Sequence, residues 1–151
     1  MQVRDTAEAL YIACEMEKRA IRLYERAMTV FAEGPLAEAI RAILGDEKNH
    51  LARFSQLGAG ADGFARAQLL SARAARVLFP GGLMEAQRRG AFDSVQALLA
   101  YAAEEEKTAA LQYGRFAREL TGAAAAAFAA IESEEKQHLK KLLEWMDEGH
   151  R

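Results

Sequence analysis

From residue 36 to residue 57 one row of side chains recurs with a strict rhythm: Leu36, Ile40, Ile43, Glu47, His50, Phe54 and Leu57, at gaps of 4, 3, 4, 3, 4 and 3. That alternation keeps one face of a helix turned to a partner and is the knob pattern of helices packed about 20° apart, as in a four-helix bundle. Three further stretches carry a related row. The first runs Leu10, Ala13 with Cys14, Glu17, Ile21, Tyr24, Met28 and Phe31. The third runs Val95, Leu99, Ala102, Glu106, Ala109, Tyr113, Phe116 and Leu120, and the fourth Ala124, Phe128, Ile131, Glu135, His138, Leu142 and Trp145. Proline occurs only at 35 and 80, and Ala, Leu, Glu, Arg and Lys dominate. The chain therefore reads as all-α.

The punctuation places the helix ends. Asp5-Thr6-Ala7-Glu8 reads as a capping box, and the first helix is expected to run to about Ala32, before Gly34-Pro35. Pro35 suits a first helical turn, and Gly58 is the expected stop of the second helix after Leu57. The third helix opens near Asp93 or Ser94, and a short turn at Thr121-Gly122 leads into the fourth. Residues 58–92 are too many for a tight turn between neighbours, and they read as a crossover with a short helix from about Phe64 to Leu78. The expected organisation is one domain over 1–151: a hairpin at about 5–57, the crossover, and a second hairpin at about 93–147.

Each apolar row is broken by acids or imidazoles. Glu17 and Glu106 interrupt the first and third rows; Glu47 with His50, and Glu135 with His138, interrupt the second and fourth. In a helix, residues three apart share a face, so each Glu-x-x-His aims a carboxylate and an imidazole at one point. With 17 Glu in 151 residues, a Glu three places before a given His has a chance of about one in nine, yet two of the three histidines have one, in matching contexts. The contexts are Asp46-Glu47-Lys48-Asn49-His50-Leu51 and Glu134-Glu135-Lys136-Gln137-His138-Leu139, 88 residues apart. Likewise Glu15-Met16-Glu17-Lys18 recurs 89 residues later as Glu104-Glu105-Glu106-Lys107, and Tyr24 and Tyr113 each follow their acid by seven positions. The phase puts Glu15 beside Lys18, Arg19 and Arg22, and turns Glu104 and Glu105 to solvent or the flank. His150 falls outside any apolar row and reads as tail.

Four acids and two histidines on facing seams need neutralising, because an unpaired ionised carboxylate in an apolar core is costly. A buried network of protonated acids, histidines and tyrosines is one solution, with no arginine on the four seams to help. Metal is the other: four carboxylates bring −4, two divalent ions bring +4, and each imidazole gives one nitrogen. One Glu from each of two helices and a Glu-x-x-His from each of the other two is the ligand pattern of di-metal carboxylate bundles.

Composition excludes other classes. The net charge is −2 with no long basic block, so neither a nucleic-acid backbone nor an anionic membrane is an expected partner. No apolar run approaches eighteen residues, and Met1-Gln2-Val3-Arg4-Asp5 opens directly into a helical pattern, so a cytoplasmic location is expected. Cys14 is the single cysteine, which rules out a four-thiolate centre within this sequence and reads as a small core hydrophobe.

The segments Glu15-Met16-Glu17-Lys18 to Tyr24, Asp46 to His50, Glu104-Glu105-Glu106-Lys107 to Tyr113 and Glu134 to His138 resemble the erythrin domain of rubrerythrins, members of the ferritin-like di-iron carboxylate proteins. The resemblance implies a ferritin-like four-helix bundle of two hairpins. It implies Glu17 and Glu106 as terminal ligands, Glu47 and Glu135 as bridging ligands and His50 and His138 as nitrogen ligands of two iron ions, with zinc or manganese as substitutes. Tyr24 and Tyr113 would lie near the site, against ligand carboxylates or as plain core residues. The activity implied is reduction of hydrogen peroxide or O₂ with electrons from an external donor such as a rubredoxin. Ferritin-like oxidation and storage of Fe(II), or a metal that merely stabilises the bundle, stand as alternatives. A homodimer is expected, and the long crossover would permit exchange of hairpins between chains. Two departures from rubrerythrins stand out: this sequence holds one cysteine, where rubrerythrins usually append a four-cysteine iron site, so electrons are expected from a separate donor, and the inward positions after Glu106 are Ala109 and Ala110, where rubrerythrins carry a further carboxylate.

Overall fold

A computed structural model of the chain describes residues 6–31, 33–61, 63 and 82–148. The expected short helix at 64–78, Asp5 of the capping box and His150 lie outside the described residues. All regular structure among the described residues is helical: α1 (Thr6–Val30), α2 (Pro35–Ala59), α3 (Gly82–Arg88), α4 (Val95–Glu119) and α5 (Gly122–Asp147). None of these helices is long and apolar enough to cross a membrane.

Local chemistry explains the ends. Pro35 occupies the first turn of α2, where its missing N–H costs nothing, and Gly34 before it has φ +88°, a conformation that favours glycine. Ser94 caps α4 by accepting a hydrogen bond from the Ala97 amide at 3.1 Å. At the far end of α2 the expected stop is displaced. The helix runs through Gly58, which is buried, to Ala59, and Gly60 caps it in the right-handed region. A glycine can end a helix by turning left-handed, but nothing obliges it to.

The longest packing runs are α4 against α5 and α1 against α2; narrower contacts join α1 to α4 and α2 to α5. Hydrogen bonds fix the directions across the narrower contacts. Tyr24 near the end of α1 reaches Glu106 in the middle of α4, and Tyr113 further along α4 reaches Glu17 earlier in α1, so the two helices are antiparallel. The same reasoning makes α2 and α5 antiparallel, from His50 beside Glu134 and His138 beside Asp46.

The interior has two apolar clusters. One is built around Leu23, Tyr24, Ile40, Leu98, Leu99 and Leu142. The other holds Leu10, Ile12, Phe54, Phe116, Phe128 and Ile131, its aromatic rings tilted against one another at centroid distances such as 4.9 Å for Phe54 and Phe128. Both clusters draw on residues beyond the expected rows, Leu23, Ala27 and Leu98 in the first and Ile12 and Met16 in the second. A helix that touches two neighbours buries a wider arc than a single seam. Cys14 is buried 3.6 Å from the Ser55 hydroxyl, and burial pushes its thiol up, which keeps it unreactive.

Candidate metal centre

Six ionisable side chains meet inside the bundle: Glu17 from α1, Glu47 and His50 from α2, Glu106 from α4, and Glu135 and His138 from α5. None is more than 3% exposed, and they are the only polar or charged residues that are fully buried among the described residues. The helical phase explains why they meet. Each occupies a core position of its helix, and the two Glu-x-x-His helices are antiparallel neighbours, so their pairs lie at the same height.

Both imidazoles turn Nδ1 inward. His50 Nδ1 lies 3.3 Å from Glu47, 3.4 Å from Glu135 and 3.5 Å from Glu17. His138 Nδ1 lies 3.1 Å from Glu135, 3.4 Å from Glu47 and 3.6 Å from Glu106. Despite these distances, His50 Nδ1, His138 Nδ1, Glu47 Oε1, Glu135 Oε1, Glu17 Oε2 and Glu106 Oε2 have no hydrogen-bond partner. The atoms surround a common space without being aligned on one another. Buried polar atoms are nearly always satisfied, so six orphans within one buried cluster are a strong structural signal.

Outside this space, Glu106, Glu17 and His138 are each held by a hydrogen bond from another helix. The Tyr24 hydroxyl donates to Glu106 at 2.7 Å and the Tyr113 hydroxyl to Glu17 at 2.9 Å. Each tyrosine thus serves the acid of the opposite helix, not the acid seven positions before it. His138 Nε2 pairs with Asp46 at 2.9 Å, and His50 Nε2 lies 3.4 Å from Glu134. In a neutral ring, a carboxylate on the outer nitrogen favours the tautomer whose inner nitrogen has a lone pair to give, and Asp46 is placed to do this for His138. Asp46 and Glu134 were not singled out from sequence. The signal that could have found them is the repeat, which places an acid immediately before the seam Glu in both copies.

Burial dominates the protonation of the acids. It pushes Glu17 up to about 7 and Glu135 up to about 8, and it raises Glu47 and Glu106 as well. Burial alone would lower the imidazoles, but the surrounding acids outweigh it: Glu17 and Glu47 hold His50 up to about 11, and Glu106 and Glu135 raise His138 further. Burial also holds both tyrosine hydroxyls well above their usual range, which keeps them protonated as donors. Without an ion, the cluster stays neutral only by retaining protons.

The same atoms could hold a metal ion. They fall into two donor sets, Glu17, Glu47, His50 and Glu135, and Glu47, Glu106, Glu135 and His138; within each set the four ligand atoms lie within 4.8 Å of one another. Glu47 and Glu135 belong to both. The orphaned oxygens and inward nitrogens fit a hard or borderline divalent cation, and the set holds no sulfur. Comparison of the chain with known proteins finds no matching family model, no matching curated protein and no matching solved structure. The site must be read from its own chemistry.

Proposed function

We propose that the protein is a ferritin-like di-iron carboxylate protein of rubrerythrin type, which reduces hydrogen peroxide or O₂ with electrons from an external donor protein. The observation that carries this reading is the sharing of Glu47 and Glu135 between two overlapping donor sets. One ion would need one set. Two sets with common carboxylates suit a pair of ions, and Glu47 and Glu135 are the residues that both ions would share. Glu17 and His50 would complete one position, Glu106 and His138 the other. The directions of the helices support the two-hairpin order, because α2 and α4 run the same way if α1 and α2 form a tight hairpin, and the connection between them must then return along the bundle.

Six ligands rich in oxygen stabilise ferric as well as ferrous iron. A pair of ferrous ions held by these residues would supply the two electrons that, with two protons, convert one hydrogen peroxide to two waters, to be returned by the donor protein. The chain's own groups do the rest. Asp46 orients the His138 imidazole by holding Nε2, Glu134 stands near His50 Nε2, Tyr24 and Tyr113 keep a proton at Glu106 and Glu17, and the apolar clusters on either side exclude water.

Metal analysis and stopped-flow mixing test the reading. Protein loaded anaerobically with iron should hold two ions per chain and should be oxidised by peroxide faster than by O₂. Failure to bind more than traces of any divalent metal would sink it. A second reading, oxidation of Fe(II) for binding or transfer, is favoured by Ala109 and Ala110, which are buried where a further carboxylate would assist peroxide chemistry. A clear preference for O₂ with continued uptake of Fe(II) would select that one.

A further inference from the structure

Protein interiors leave few voids larger than a water molecule, but one side of the acid cluster departs from that rule. Between α1 and α4 lies a cavity of about 30 Å³, walled by Met16, Ala20, Leu23 and Ala109 and reaching the carboxylates of the cluster. A smaller recess of about 10 Å³ lies beside it under α3, against Leu83, Ala86 and Tyr101. Arg19, Leu23 and Glu105 belong to the walls of both. Arg19 Nε donates to Glu105 Oε2 at 3.1 Å, and Nη2 donates to Glu105 Oε1 and to the Tyr101 hydroxyl, each at 3.4 Å, so a two-pronged ion pair between α1 and α4 stands where the recess meets the inner cavity. The two side chains are 15% and 31% exposed, so the pair is partly solvated, and its opening would join the two spaces.

The size of the inner cavity is selective. A water needs on the order of 10–15 Å³ of such space, so the cavity admits two heavy atoms and excludes an organic substrate. Its walls are largely apolar, as suits dioxygen, while the hydroxyl of Thr108 at its exposed edge offers a partner to peroxide.

We propose that this gap between α1 and α4 is the route by which a two-atom oxidant, dioxygen or hydrogen peroxide, reaches the acid cluster, and that the Arg19–Glu105 pair is its gate. The inference rests on the redox reading of the cluster but can fail separately from it. Dissolved dioxygen is paramagnetic and accelerates the relaxation of methyl protons it approaches, so oxygen entry can be read by NMR on protein whose metal has been replaced by zinc. The Ala109 methyl should relax severalfold more under oxygen pressure than that of Ala127, which is buried in packed core. Ala20→Leu should abolish the excess by filling the cavity, and Arg19→Ala should increase it. An Ala109 methyl no more responsive than Ala127, or indifferent to both variants, overturns the route. Arg19→Ala changes a partly exposed residue and keeps the test decisive if Ala20→Leu folds poorly. On iron-loaded protein, Ala20→Leu should keep the metal content and slow oxidation severalfold; the slowing measured with O₂ and with peroxide tells which oxidant uses the gap. An unchanged rate with both would also overturn the route. Loss of all metal binding in the unsubstituted protein would instead sink the redox reading, and the methyl measurement, made then on the metal-free protein, would decide the path of oxygen by itself.

Discussion

The two halves of the candidate metal centre repeat one pattern but are braced differently. His138 Nε2 stands 2.9 Å from Asp46 in hydrogen-bond geometry, whereas its counterpart His50 Nε2 stands 3.4 Å from Glu134 with no hydrogen bond. The tyrosine contacts follow the same order, 2.7 Å to Glu106 and 2.9 Å to Glu17. Asp46 and Glu134 are about equally exposed, at 45% and 48%, so burial does not explain the difference. Side-chain length does: the glutamate has one more rotatable bond to immobilise before it can hold a ring. A repeat can copy ligands from one half-site to the other, yet the firmness of each ligand is set by neighbours that the repeat copies only approximately.

Removing a shared ligand should erase the distinction, and it carries the largest expected effect. Glu47→Ala takes a carboxylate from both donor sets, so metal analysis should find both ions lost, and calorimetry should find the metal-dependent rise in melting temperature gone. Retention of one ion would show that Glu47 serves one half only. Asp46→Ala should sharpen the comparison instead. Loss of an outer hydrogen bond to a ligand imidazole lowers metal affinity by about 10–100-fold. That loss should fall on the half with His138, whereas Glu134→Ala should do less to the half with His50. Calorimetric titration with a redox-silent ion reads both steps, and equal losses would remove the asymmetry.

Acidity separates the empty cluster from the filled one. In the empty protein burial raises Glu17 from 4.5 to about 7 and Glu135 to about 8, so the folded chain keeps protons that the unfolded chain has released. Stability then falls as pH rises between those values. His50, lowered by burial but raised more by Glu17 and Glu47, moves from 6.5 to about 11; its contribution is fully present below 6.5 and is lost on rising toward 11. Both effects have one sign, so with chelator present the protein should melt higher near pH 5 than near pH 8. Ions compete with those same protons, so the loaded protein should show the reverse, losing metal and stability on acidification. Melting curves at the two pH values, with and without chelator, give the comparison; parallel shifts would mean that the cluster does not exchange protons for ions.

What the sequence made legible was phase. Leu36, Ile40, Ile43, Glu47, His50 and Phe54 are all buried along α2, and the 88–89-residue repeat selects Glu17 and Glu106 from runs of neighbouring acids. What it left hidden was height and partnership across helices. Spacing says that Tyr24 and Glu17 share a face, but which residue of α4 lies opposite Tyr24 depends on how the helices slide past each other, and that is a property of packing. The pairings Tyr24 with Glu106, His138 with Asp46 and Arg19 with Glu105 all lie beyond 80 residues of separation. The cavity between α1 and α4 was hidden for the same reason, since Ala20 and Ala109 mark a gap only once they are seen to flank one.

The smallest expected effects come from acids adjacent in sequence to the ligands but turned away from them. Glu15 and Glu17 are two positions apart, which on a helix places them on nearly opposite faces. Glu15 pairs with Lys18 at 3.3 Å, with side chains 29% and 50% exposed, and Glu104 is exposed to solvent. A surface pair of this kind contributes roughly 0–1 kcal/mol. Glu15→Ala and Glu104→Ala should therefore leave metal content unchanged and shift the melting temperature by no more than about 2–4 °C, the shift that 1 kcal/mol produces in a chain this size. The pair also guards the comparison of the half-sites. If Glu15→Ala removed an ion as Glu47→Ala does, general loss of negative charge would be enough to empty the centre, and the distances that distinguish one half from the other would no longer explain anything.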